Sequence, residues 1–135
     1  MGVGMSLFRS LVWNKQLTVY HRVASKDANG KTITNWTRFY LDGCFFGHRA
    51  RQVISGTEIV PRNGFIARIL SKSMPDGFAI GKGDIVVKGH VNDTLQQNDS
   101  GTALRNKYAG SCFVVNVLVD NRDLPNTAHV FVSED

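Results

Sequence analysis

From Gln16 onward the chain is built of short runs in which apolar and polar residues alternate. In residues 16–23, Leu17, Val19 and Val23 fall on one side and Thr18, Tyr20 and Arg22 on the other. A period of two predicts a half-buried strand. Asn29-Gly30 follows, and both residues tolerate the positive φ that a tight hairpin demands. Residues 31–41 resume with Thr32, Ile33, Thr34, Trp36, Phe39 and Tyr40, a β-branched and aromatic run suited to a pleated surface. Asp42-Gly43 predicts a break before a strand opening on Cys44-Phe45-Phe46. Residues 52–60 read as a strand interrupted at Ser55-Gly56 by a turn or bulge. Pro61-Arg62-Asn63-Gly64 reads as a turn, 64–70 as another alternating strand, and Met74-Pro75-Asp76-Gly77 as a second turn. Gly83-Asp84 then launches the strand 85–91.

Two stretches depart from this texture. In residues 5–14, Ser6 can cap a short helix whose face carries Leu7, Phe8 and Leu11, so 1–15 reads as an N-terminal arm or short helix. Residues 92–110 are a polar interval too long for an ordinary turn; they read as a long loop that is either disordered, an interaction element or a short helix, with 103–108 able to make one helical turn. Beyond it, 111–119 places Phe113, Val115, Val117 and Val119 on one side and Val114, Asn116 and Leu118 on the other. Residues 120–126 turn the chain, and 127–132 returns with Ala128, Val130 and Val132 alternating. The pattern therefore predicts an all-β fold, a small barrel or sandwich of about seven or eight short antiparallel strands. At 135 residues the chain fits one β domain spanning 16–135, with 92–110 as its long loop.

Charge narrows the picture only a little. The net charge of +5 favours nucleic acid or acidic surfaces as neighbours, but the basic residues are dispersed and the densest stretch is His48-Arg49-Ala50-Arg51. Cys44 and Cys112 each precede an apolar run and read as buried free thiols, with one disulfide between them as the alternative. No run approaches the roughly 18 apolar residues of a membrane span.

Catalytic and metal-binding patterns are incomplete. Gly81-Lys82-Gly83-Asp84 lacks the phosphate-loop frame and leads into a strand rather than a helix. Cys44 and His48 lie four apart, about 13 Å along a strand, with no second close pair. Ser55 and Ser100 lack the frame of a strained nucleophile turn. Asp27, Asp42, Asp76, Asp84 and Asp120 all sit in turn sequences. The expectation is a protein without catalytic residues, metal ligands or cofactor. One face does offer binding chemistry. Trp36, Arg38 and Tyr40 recur at spacing two, with Tyr20 and Arg22 across the hairpin, a combination able to stack nucleic-acid bases. Aromatic and arginine residues also suit protein interfaces.

The order of these pieces is similar to that of a known group. The Leu17-Thr18-Val19-Tyr20 strand, the hairpin ending at Trp36, the run GDIVVKGHV at 83–91 and the closing VVNVLVDNRDLPNTAHVFV at 114–132 resemble the minor capsid and head–tail connector proteins of tailed bacteriophages. The resemblance spans most of 16–132 through short motifs, and the 92–110 interval falls outside it. It implies a non-enzymatic structural virion protein: a stopper or adaptor subunit with a barrel-like fold, assembling as a homo-oligomeric ring between portal and tail. The implied setting is the virion neck, assembled in the host bacterial cytoplasm, with no membrane and with packaged DNA close by. Candidate assembly contacts are Trp13, Arg49, Arg51, Leu95, Leu104, Tyr108, Arg122 and Leu124, and the alternative nucleic-acid face is Tyr20, Arg22, Trp36, Arg38 and Tyr40.

Overall fold

The computed structural model describes residues 15–123 and 128–134, with the backbone alone for 48–55 and 58–63. The expected N-terminal helix with Trp13 lies outside the described residues, as does Leu124. The described residues form seven strands: β1 (Lys15–Lys26), β2 (Thr32–Ser55), β3 (Glu58–Leu70), β4 (Ile85–Lys88), β5 (Cys112–Val114), β6 (Val117–Asn121) and β7 (His129–Ser133). A 3-10 turn, Ser71–Ser73, follows β3, and a six-residue helix, α1 (Thr102–Lys107), precedes β5. All pairings are antiparallel and the sheet order is β5-β4-β1-β2-β3-β7-β6.

The first hairpin forms as its turn chemistry dictates. Gly30 takes φ +80°, and the Asp27 carboxylate accepts the backbone N–H groups of Asn29 and Lys31, both at 2.9 Å. The expected break at Asp42-Gly43 does not end a strand. Leu17 pairs with Leu41 and Lys15 with Cys44, so β2 carries one extra residue there, and Gly43 takes φ +70°. An inserted residue with a left-handed glycine is a β-bulge, which bends a strand without terminating it. Before the bulge β2 pairs with β1, and from Phe45 onward it pairs with β3. One strand thus serves two halves of the sheet.

Ser55-Gly56 resolves as a hairpin turn, with Ser55 opposite Glu58 and Gly56 at φ +64°. Pro61–Gly64, expected as a turn, lies inside β3 opposite residues 49–52. Pro61 is tolerated because β7 joins the other edge of β3 only from Ile66, so no bond is asked of the missing N–H on that side. Beyond Gly47 and Gly64 the β2–β3 hairpin therefore continues, among the described residues, as a two-stranded ribbon.

The two halves, β5-β4-β1-β2 and β2-β3-β7-β6, fold over one apolar core. It joins Leu17, Val19, Leu41, Val86 and Phe113 from the first half to Phe46, Ala67, Ile69, Val130 and Val132 from the second. Phe46, Phe65 and Phe113 meet ring to ring, with centroids 5.4–6.3 Å apart. The barrel expectation needs correcting. β5 and β6 stand at opposite ends of the sheet order and do not pair with each other, so the sheet is open and sandwich-like.

The chain instead steps from β5 to β6 through Val115 and Asn116. Val115 N–H donates to Asp84 O on one side, and Asn116 N–H donates to Ser133 O on the other, at 2.8 and 2.9 Å. This step also changes which residues face inward. Phe113 and Val115 are buried as expected, but Val117 and Val119 are exposed, and Leu118 packs on the core in their place. A break in the pleat shifts the alternation by one residue, and that moves every later side chain to the opposite face.

Candidate functional site

Tyr20, Arg22, Trp36, Arg38 and Tyr40 do share one face of the β1–β2 hairpin. In the register Tyr20 stands opposite Arg38 and Arg22 opposite Trp36. The face is not an open platform. The interval after β4 lies across it as an ordered strap, held by hydrogen bonds from the residues that would have met a ligand. Tyr20 Oη donates to Asp93 O at 2.7 Å, Arg38 donates to the same oxygen at 3.0 Å, and Tyr40 Oη donates to Val91 O at 2.8 Å. Trp36 Nε1 donates to Asp99 O at 2.8 Å.

Thr34 extends the fastening. Its C=O accepts Asn98 N–H at 2.8 Å, and its own N–H donates to Asn98 Oδ1 at 2.9 Å. Asn98 holds φ +65°, a conformation its short amide side chain tolerates better than most. The strap thus satisfies backbone groups on a sheet edge that β3 does not reach.

Beneath the strap is a second apolar cluster. Tyr20, Ile85, Val87, Leu104 and Cys112 are buried there, with Trp36, Val91, Leu95, Tyr108 and Val114 packed against them. Helix α1 seats Leu104 in this cluster, which corrects its assignment as an assembly contact: the residue is 4% exposed and serves its own fold. Leu95 and Tyr108 are half-buried in the same place. Tyr108 Oη and Lys107 Nζ both bond the Asp93 carboxylate, which holds its pKa below the usual carboxylate range. Burial pushes the Tyr20 hydroxyl up to about 12, with Arg38 pulling weakly the other way.

Arg122, in the turn after β6, is exposed and paired with Asp120 of that strand at 2.6 Å. Arg49 and Arg51 fall on the ribbon, where only the backbone is described. Cys44 belongs to the inter-sheet core and Cys112 to the strap cluster, so the two thiols lie on opposite faces of the first half and remain free. Burial pushes the Cys44 thiol up to about 12.

Asp84 proves to be more than a turn residue. Its side chain is 1% exposed and accepts the N–H of Arg22 at 2.9 Å and that of Gly81 at 2.7 Å, with His21 Nδ1 at 2.7 Å. Gly83, at φ +93°, lets the chain turn tightly enough for its N–H to reach Val115 O at 2.8 Å. The Gly83-Asp84 pair therefore locks β1, β4 and the β5–β6 step together.

At the far end of the strapped face the covering is incomplete, and a cavity of about 400 Å³ remains. Arg22 and Arg105 supply its cationic groups and Trp36 an aromatic surface; Ile85 and Val114 are apolar, and Thr34, Asn98, Asp99 and Ser100 are polar. Of the residues singled out in the sequence, Arg22 and Trp36 reach this cavity, while Tyr20, Arg38 and Tyr40 are engaged by the strap at 91–93. Arg105 and the residues 98–100 carried no sequence pattern beyond the turn-forming Asn98-Asp99-Ser100-Gly101 run.

Residues 12–133 match the profile of a family of unknown function, DUF6751. No curated protein and no solved structure matches the chain.

Proposed function

Given that the chain belongs to the DUF6751 family of unknown function, we propose that it is a structural virion protein of a tailed bacteriophage, acting at the head–tail junction by assembly rather than by catalysis. The observation that carries this reading is the β2–β3 ribbon. Beyond Gly47 and Gly64 its two strands pair with each other and with no third strand among the described residues. A two-stranded ribbon has little stability of its own in water, and its free edges are ready to pair or pack with a neighbour. The exposed Val117 and Val119 on edge strand β6 supply a second surface of the same kind. A head-to-tail contact between one copy's ribbon and the next copy's body closes into a ring when the rotation permits.

In this reading the ring sits in the neck between portal and tail, with both as partners and packaged DNA nearby, and it works as a stopper or adaptor. The resemblance of the 83–91 and 114–132 segments to connector proteins supports the setting, and the ribbon supports the mode of action. The strap weighs against an open base-stacking platform, because Tyr20, Arg38 and Tyr40 already spend their polar groups on it.

Electron microscopy of the parent particle tests the proposal: density for this chain as a ring at the neck is expected, and its absence from purified virions overturns it.

A further inference from the structure

The cavity at the uncovered end of the strapped face has a chemistry that assembly does not require. Its volume of about 400 Å³ lies within the roughly 300–1,000 Å³ of small-ligand pockets. Ile85 and Val114 give it apolar surface, and the Trp36 indole is held in place by its bond to Asp99 O and its packing in the strap cluster. An indole so fixed is a stacking surface for a planar ring, since every heteroaromatic base has a π-face to offer.

The polar side of the cavity is cationic. Arg22 and Arg105 both line it, against the single carboxylate of Asp99, which is occupied by the N–H of Gly101 at 2.8 Å. Arg22 extends over Gly83, whose absent side chain leaves it that space: a Cβ there would lie 3.6 Å from the guanidinium. Arg105 lines the cavity from α1, with its terminal nitrogen donating to Thr102 Oγ1 at 3.3 Å. Two guanidiniums on one cavity suit a phosphate, whose oxygens accept the forked donors of arginine. Ser100 and Asn98 add neutral hydrogen-bonding groups at the same rim.

We propose that this cavity is a nucleoside-phosphate site, with the base stacked on Trp36 and the phosphate held by Arg22 and Arg105. The ligand chemistry is the same whether the nucleotide is free or one unit of a single strand. The inference does not depend on the assembly reading, since a chain that never enters a virion would still bind.

Calorimetric titration of the full chain tests it, with four probes: a nucleoside monophosphate, the matching nucleoside, inorganic phosphate, and a short single-stranded oligonucleotide. The monophosphate is expected to bind saturably and at least tenfold more tightly than the nucleoside or phosphate alone. Arg22→Gln, at an exposed position, is expected to weaken that binding about tenfold with an unchanged melting temperature. Arg105→Lys, which keeps the charge but loses the planar fork of donors, is expected to weaken it as well. A tighter oligonucleotide assigns the site to nucleic acid, and equal or weaker binding assigns it to the free nucleotide. Absence of saturable monophosphate binding overturns the proposal, as does phosphate binding equally well alone or an Arg22→Gln chain that binds normally.

Discussion

The first half of the sheet and the β2–β3 ribbon are made of the same kind of alternating sequence, yet they are finished differently. In β1, residues 17–20 are all buried, because the inter-sheet core takes Leu17 and Val19 while the strap takes Thr18 and Tyr20. That stretch is covered by its own chain on both faces. In the ribbon each strand pairs only with the other among the described residues. Apolar alternation alone does not say what covers a strand. Here the 19-residue interval read as a loop covers one region, and in the assembly reading a neighbour covers the other.

The largest expected effect tests the covered half. Phe113→Ala removes a ring packed on Phe46 and Phe65 at the centre of the inter-sheet core, and should cost about 3–5 kcal/mol. Chemical denaturation of the variant measures it, and a loss under 1 kcal/mol would show that the two halves do not share a core. Asp84→Ala comes next. It leaves the N–H groups of Arg22 and Gly81 and the His21 ring without their acceptor, at roughly 2–3 kcal/mol. A smaller change, about 1 kcal/mol, is expected for Tyr20→Phe, which deletes only the hydroxyl that holds Asp93 O. Hydrogen exchange should then quicken at 91–99 before it does so in β1; uniform exchange would mean that the strap does not open on its own.

The ribbon predicts the reverse pattern. Replacing 50–63 by a two-residue Asn-Gly turn should change monomer stability by less than about 1 kcal/mol, while abolishing ring formation on particles. A variant that still joins virions would remove the ribbon from the assembly account. The smallest effect concerns the turn after β6. Arg122 draws the Asp120 carboxyl down to about 2 in the folded chain, below its ordinary unfolded value of about 3.9. Its contribution is therefore present above about pH 4 and fades as pH falls towards 2. Because the pair is exposed, Asp120→Asn should shift the acid-unfolding profile only slightly, and more in low salt than in high.

How much of this was legible in the residues depends on how local each cause is. Asn29-Gly30 and Met74-Pro75-Asp76-Gly77 announce turns because positive φ and proline geometry act within four residues, and Gly30 and Gly77 take φ +80° and +76°. The β1–β2 face was equally legible, since a period of two needs no tertiary information. Asp42-Gly43 and Pro61–Gly64 misled because the same residues that make turns also make bulges and edge positions. Only the pairing decides which: β2 stays paired with β1 across the Asp42-Gly43 bulge, and β3 stays paired with β2 through Pro61–Gly64. The cavity was half legible: Arg22 and Trp36 stood out by spacing, whereas Arg105 lies 69 residues further along than Trp36 and reaches the site only when α1 docks.

The sequence by itself determined a β-rich chain, its first hairpin, the burial of Leu17 and Val19 in β1 and that of Phe113 and Val115, whereas Val23, expected on the same side as Leu17 and Val19, is exposed. These follow from alternation and turn chemistry, which act between neighbours in the chain. Tertiary structure alone decided that Val117 and Val119 face outward, that the polar interval is a strap, and that Asp84 is a buried hub. Each of those depends on a hydrogen bond between distant residues, Asn116 to Ser133, Tyr20 to Asp93 and Arg22 to Asp84. Backbone and polar groups must find partners somewhere once buried, and nothing in the local pattern says where.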